Sequence, residues 1–207
     1  MNNFILHRGY HDSNIKENSY EGIKRALDSD EYVGIECDVR ETLDKHYIIN
    51  HNSIIDSYLI RFTNLNVLKS KYNITTLENI LSIKTNKIIL LEIKDYSIDI
   101  DSFLKILDKY KNKNIYIMSF YKRVIKEIKR KSNNYKLGVL NYVLNSDKEY
   151  NNYDFICLLS SVITPNLYNY FLNNNIEVFI YGINNYNKLK FYSKSYLIVD
   201  NKKISGF

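Results

Sequence analysis

The feature that most constrains this chain is alternation. Short apolar runs of strand length are separated, again and again, by stretches with helical periodicity. Nine strand candidates fall at 4–6, 34–39, 47–50, 87–93, 115–118, 136–140, 155–159, 176–183 and 196–199. Between them lie amphipathic stripes such as Tyr20, Ile23, Ala26 and Leu27, or Phe103, Leu104, Leu107 and Tyr110. Strands that alternate with helices pair in parallel, because each crossover returns the chain to the same end of the sheet. The run 87–93 is nearly all apolar, as a strand covered on both faces must be. No glycine-rich phosphate loop follows any strand, which argues against the nucleotide-binding form of an open doubly wound sheet. The expectation is an α/β protein: a (β/α)8 TIM barrel. Nine candidates compete for its eight positions, and 155–159 is the candidate for a place outside the barrel.

The 207 residues suit a single domain, 1–207, with a sizeable core. There is one proline, and no Gly/Ser-rich stretch that marks a linker. Within this frame the stretch Gly34-Ile35-Glu36-Cys37-Asp38-Val39 stands out. Side chains alternate along a strand, so Glu36 and Asp38 share a face one pleat apart. A buried carboxylate needs a cation or a set of donors opposite it. A divalent ion with oxygen ligands, Ca2+ or Mg2+, meets that need for two adjacent carboxylates. A solvated edge strand accounts for the stretch, taken alone, equally well. Other strand candidates also end in ionisable groups: 4–6 runs into His7-Arg8-Gly9, 47–50 into His51-Asn52, and 87–93 ends with Glu92 and Lys94 on one face. Polar groups gathered at the C-terminal ends of parallel strands are the pattern of a barrel active site.

Net charge is +6, from 29 Lys and Arg against 23 Asp and Glu. The basic residues are scattered. The one local run, Lys126-Glu127-Ile128-Lys129-Arg130-Lys131, carries apolar spacing at Val124, Ile125 and Ile128 and reads as the solvated face of a helix. A nucleic-acid partner is therefore not expected, and a basic site for an anionic small molecule is. Cys37 and Cys157 lie in apolar runs and are expected to be buried free thiols. The start of the chain lacks a basic region followed by a long apolar core, and no run is long enough to cross a bilayer. A cytoplasmic protein without stable membrane anchoring is the expectation.

Local signals place caps. Ser19 is a candidate N-cap for the first helix, and Thr164-Pro165 starts another with proline at its first position. Thr75 with Glu78 three residues on fits a capping box for a helix through Leu77, Ile80, Leu81 and Ile83. The stretch 53–73 reads as a loop or small excursion, and a short helix is expected through Leu189 and Tyr192.

His7-Arg8-Gly9, Glu17-Asn18-Ser19, Glu36-Cys37-Asp38-Val39, Thr42-x-Asp44, Ile49-Asn50-His51 and Glu92-Ile93-Lys94 follow one another in an order that resembles the glycerophosphodiester phosphodiesterases. The likeness is dense in the first half and thinner afterwards, at Thr76-Leu77-Glu78, Ser119-Phe120 and the final strand ending at Asp200. The chain departs from the family pattern at Asn52, where Asp is usual, at Tyr181-Gly182-Ile183-Asn184 and at Val199-Asp200-Asn201-Lys202. The resemblance implies a barrel that hydrolyses a glycerophosphodiester to glycerol 3-phosphate and an alcohol with Ca2+ or Mg2+. Glu36, Asp38 and Glu92 are the implied metal ligands. His7 and His51 are the implied general acid and base, each worth about 10^2- to 10^4-fold in rate. Arg8 and Lys94 would hold phosphate oxygens, with Asn18 orienting one of them. Glu17 is a further ligand, a partner for His7 or Arg8, or a helix N-terminal charge. Phe120 and Tyr181 are candidate walls of the substrate pocket, while His11 and His46 read as ordinary surface histidines. Alternatives are a phospholipase C- or D-like or glycerol-phosphate-polymer phosphodiesterase on the same barrel, and a non-catalytic binding barrel.

Overall fold

The structure, a computed structural model, describes residues 3–142, 150–183 and 191–200. In chain order the elements are β1 (Phe4–His7), α1 (Tyr20–Asp28), β2 (Gly34–Glu41), β3 (Tyr47–Ile49), β4 (Ile54–Ile55), β5 (Tyr58–Leu59), α2 (Leu65–Lys71), α3 (Leu77–Leu81) and β6 (Ile88–Ile93). There follow α4 (Ile100–Leu107), β7 (Ile115–Ser119), α5 (Lys122–Lys131), β8 (Lys136–Asn141), β9 (Phe155–Leu159), α6 (Pro165–Asn173), β10 (Glu177–Tyr181) and β11 (Tyr196–Val199). The strands β1-β2-β6-β7-β8-β9-β10-β11 pair in parallel, and β11 returns to β1 to close an eight-stranded barrel.

The surplus strand is β3, not the run expected to lie outside. β3 pairs antiparallel with β2 at Val39, Arg40 and Glu41, where β2 overshoots the barrel. Phe155–Leu159 holds a barrel position between β8 and β10. A three-residue apolar strand reads the same whether its partner is parallel or antiparallel, so periodicity could not separate the two. Thr42 and Asp44 shape the turn after β2: the Thr42 hydroxyl donates to Asp44 Oδ1 (2.7 Å), which also accepts from Leu65 N–H (3.0 Å). The excursion expected at 53–73 is the β4–β5 hairpin and α2, packed over Ile48, Ile60, Leu65 and Leu68. The helix expected through Leu189 and Tyr192 lies in part outside the described residues, as do Asn184, Asn201 and Lys202.

Strand parity divides the core. Outward residues such as Leu6, Ile35, Cys37, Leu91 and Ile117 pack beneath the helices. Inward residues Ile5, Ile88, Leu90, Tyr116, Phe155 and Phe179 fill the barrel. Inside, Tyr116 packs on Phe155 and Phe179 at centroid distances of 5.4 and 5.6 Å. Gly138 makes room for this floor, since a Cβ there would sit 2.4 Å from the Phe155 ring. A filled floor leaves only the C-terminal mouth open for a ligand.

The caps follow the sequence with one shift. The Ser19 hydroxyl accepts from Gly22 N–H, and Thr164 caps α6 with Pro165 in the first turn. The capping box of α3 uses Thr76 and Asn79 rather than Thr75 and Glu78. Thr75 is engaged elsewhere: its Oγ1 accepts from Tyr20 N–H (2.9 Å), tying α1 to α3. Both cysteines are buried and free. Among the described residues no helix is long and apolar enough to cross a membrane.

Candidate active site

Register builds the site. β1 on β2 sets His7 beside Glu36, and β2 on β6 sets Asp38 beside Glu92. Parity turns Glu36, Asp38 and Glu92 into the barrel, one step above the apolar floor. All three are buried, and each can offer an oxygen within 4.8 Å of the others. Their environments differ. Asp38 Oδ2 accepts from Asn18 Nδ2 (2.8 Å) and lies 3.2 Å from Arg8 Nε, while Lys94 Nζ lies 3.5 Å from Asp38 Oδ1. Glu92 Oε1 pairs with Lys94 Nζ at 2.8 Å. Glu36 Oε2 accepts from Arg8 N–H at 3.3 Å. Burial pushes Glu36 well above the ordinary carboxylate range, reinforced by Asp38 and Glu92. Burial and Asp38 raise Glu92, against the opposing pull of Lys94.

Glu36 Oε1 and Asp38 Oδ1 are buried without any hydrogen-bond partner. Buried carboxylate oxygens that accept no hydrogen bond are costly, and three converging carboxylates are the donor set of a hard divalent cation. The residues present therefore fit Ca2+ or Mg2+.

The histidines arrive by different routes. His7 ends β1, and its Nδ1 lies 2.8 Å from Asp200 Oδ1, just past β11. The hydrogen bond to His7 holds the Asp200 carboxyl below its ordinary range. An ionised Asp200 only accepts, so Nδ1 is the donor in this pair, and Nε2 lies 3.8 Å from Glu36 Oε2. His51 follows the antiparallel β3 and faces the same mouth; its Nδ1 donates to Asn52 Oδ1 (3.1 Å). Burial lowers the His51 pKa; Asp38 opposes this, and Arg8 and Lys94 add to it.

Arg8 and Asn18 are non-glycine residues with left-handed backbones, φ 57° and 58°. Such a conformation costs of order 1–3 kcal/mol and persists where its surroundings fix it. Here Arg8 N–H is held by Glu36, and Asn18 N–H donates to the Arg8 carbonyl (2.8 Å). The strain aims both side chains at Asp38. Asn18 presents both ends of its amide there, with its Oδ1 accepting from Asp38 N–H at 3.2 Å. It holds Asp38 through both ends of its amide. Glu17 pairs with Arg8 Nη1 at 3.0 Å and stands apart from the buried carboxylates, so of its three expected roles the structure brings out the Arg8 partner.

The mouth holds a cleft of about 190 Å³ with two unlike sides. His7, Arg8, Glu36, His51, Glu92 and Lys94 form one. Met118, Phe120, Leu140, Tyr142 and Tyr181 form much of the other. Phe120 stacks on Tyr142 at 4.6 Å, and Tyr142 meets Tyr181 edge to face at 6.2 Å. His11 and His46 stay out of it: His11 Nδ1 bonds the Gly9 carbonyl at 3.0 Å, and His46 sits 3.9 Å from Asp44. Sequence reasoning missed Tyr142, and it quoted Asp200 only as part of the motif order, not as the partner of His7. Inward parity, shared by Leu140 and Tyr142, was the available signal for the tyrosine.

No family model matches the chain, and no curated protein sequence matches it. Solved structures do. A glycerophosphodiester phosphodiesterase from Thermotoga maritima superposes with a TM-score of 0.80 at 22% identity, covering 96% of this chain and 94% of that one. One from Parabacteroides distasonis gives 0.80 at 17% identity, covering 96% and 93%. A phosphodiesterase from Oleispira antarctica, solved with the product sn-glycerol-3-phosphate, gives 0.81 at 18% identity, covering 96% and 92%. At these identities the likeness establishes a shared barrel fold over nearly the whole of each chain.

Proposed function

We propose that this chain is a divalent-metal-dependent glycerophosphodiester phosphodiesterase, releasing glycerol 3-phosphate and an alcohol. The observation that carries the reading is the meeting of two histidines and two cations, in one cleft, with the buried trio Glu36, Asp38 and Glu92, two of which carry an oxygen that accepts no hydrogen bond. The named activity of the structural neighbours, one of them holding glycerol 3-phosphate, supports it.

Glu36, Asp38 and Glu92 would hold the ion, which supplies Lewis-acid stabilisation of the charge on phosphoryl oxygens. Arg8 and Lys94 bind the non-bridging oxygens of the diester and orient it. One histidine accepts the proton of the substrate's neighbouring glycerol hydroxyl as its oxygen forms a bond to phosphorus. The other donates a proton to the alcohol oxygen as the old P–O bond breaks. The cyclic phosphate is then opened by water with the two roles exchanged. Asp200 keeps the His7 proton on Nδ1, so Nε2 does this work, and Asn18 fixes Asp38. The ion's identity is Ca2+ or Mg2+, the substrate is a small molecule, and the setting is the cytoplasm.

The aromatic side of the cleft favours an alcohol with apolar or methylated surface. Tyr96, Tyr121 and Tyr142 are exposed, which supports a second reading: a lysophospholipid as the substrate. The test is release of the free alcohol with its matching phosphomonoester, glycerol 3-phosphate from glycerophosphocholine and glycerophosphoethanolamine or an acylated glycerol phosphate from a lysophospholipid, in EDTA and after Ca2+ or Mg2+ is restored. Metal-dependent release from the first two is expected. Release from the lysophospholipid alone would favour the second reading, and no release from any would overturn both.

A further inference from the structure

His51 reaches the cleft without a barrel strand of its own, because β3 lies outside the closed sheet. Two contacts tie its main chain to the barrel. Asn50 N–H donates to the Asp38 carbonyl at 2.9 Å. The Arg40 guanidinium then takes the His51 carbonyl in a fork, with Nε at 2.9 Å and Nη2 at 2.7 Å. Arg40 continues the inward row of Glu36 and Asp38, yet it does not line the cleft. Its third nitrogen, Nη1, donates to Asp95 Oδ1 at 2.8 Å, and Asp95 Oδ2 accepts from Glu41 N–H at 2.7 Å. Asp95 follows directly on Lys94, so one ion pair joins the ends of β2 and β6 to the His51 loop. Both side chains are largely buried, at 12% and 16% exposure, where a charge-assisted bond is least screened.

We infer that Arg40, seated by Asp95, is a positioning residue that holds the His51 main chain and so aims the imidazole at the reacting phosphodiester. The inference rests on the proposed function for the reaction, but not for the geometry. A guanidinium is needed because its rigid fork gives two donors to one carbonyl and a third to the carboxylate; an ammonium supplies no such plane. A ring displaced by about 1 Å loses on the order of 100-fold in rate.

The test uses the full chain with Arg40→Ala, Arg40→Lys and Asp95→Asn. Arg40→Ala is expected to lower kcat about 10- to 100-fold, with KM within about threefold, because Arg8 and Lys94 are untouched. Arg40→Lys and ethylguanidinium added to Arg40→Ala should each restore part of kcat, and Asp95→Asn should lose less than Arg40→Ala. Ca2+ affinity by calorimetry should match the parent. The NMR line of the His51 Cε1–H, identified with His51→Gln, should shift or broaden in Arg40→Ala, while that of His7 stays. An unmoved His51 line, or parental kcat in Arg40→Ala, overturns the inference. So does a loss of kcat that tracks lost Ca2+ affinity and melting temperature and is not restored by ethylguanidinium. If the parent cleaves no glycerophosphodiester, the functional reading fails and the His51 line alone decides the clamp.

Discussion

At the scale of single residues, contacts converge on Asp38. Asn18, Arg8 and Lys94 surround its carboxylate, and its carbonyl anchors the His51 loop. Glu36, one pleat away, accepts one backbone N–H on Oε2, which also lies 3.8 Å from His7 Nε2, and no hydrogen bond on Oε1. That difference gives a pH prediction. The Glu36 pKa is raised on folding above an ordinary value of 4.5. Its stabilisation is therefore complete below that value and is lost as pH rises through the folded pKa, because the unfolded chain ionises first. In EDTA, Glu36→Gln should melt above the parent at pH 8, and the gap should close towards pH 4. Millimolar Ca2+ or Mg2+ should raise the parent's melting temperature more at pH 8 than at pH 5, and the variant's little. An unchanged gap across this range would contradict the account of Glu36. For the acid and base, His7→Ala and His51→Ala should each lower kcat by about two orders of magnitude or more, and near-parental turnover would remove that histidine from the mechanism.

At the scale of elements, the barrel strands were legible because they are short, apolar and punctuated by amphipathic stripes. The carboxylate row was legible because charge on a buried face has few explanations. Two things were hidden. The antiparallel β3 carries no sequence mark of its direction, so the surplus strand was sought at Phe155–Leu159 instead. Side-chain partnerships across long separations were equally invisible: Arg40 with Asp95, His7 with Asp200, and Thr75 with Tyr20 N–H in place of a helix cap. The pairing of Asn18 with Asp38 was hidden too, because the order of motifs says that Asn18 belongs to the site, not which neighbour it touches. Packing inside the barrel makes its own prediction. Gly138→Ala brings a Cβ against the Phe155 ring and should destabilise the fold by about 1–3 kcal/mol in urea unfolding. Parental stability would show that the ring moves aside.

At the scale of the molecule, the chain is one closed barrel whose floor is packed and whose C-terminal mouth is divided into a charged half and an aromatic half. β1, β2 and β6 supply the charges, while β7, β8 and β10 lead into Phe120, Tyr142 and Tyr181. In the proposed reaction the charged half takes the phosphate and the aromatic half takes the alcohol. Burial raises both thiols, Cys37 and Cys157, well above the ordinary thiol range, although Cys157 lies against the cleft. Neither should react with a thiol reagent at pH 8 until denaturant is added, and rapid labelling of the native protein would contradict their burial. The most direct test of the whole account is 31P NMR of glycerophosphocholine incubated with the protein and its divalent ion. The account predicts that the diester signal gives way to glycerol 3-phosphate, with choline released unphosphorylated. A phosphocholine signal, or a diester that persists while the ion is bound, would contradict it.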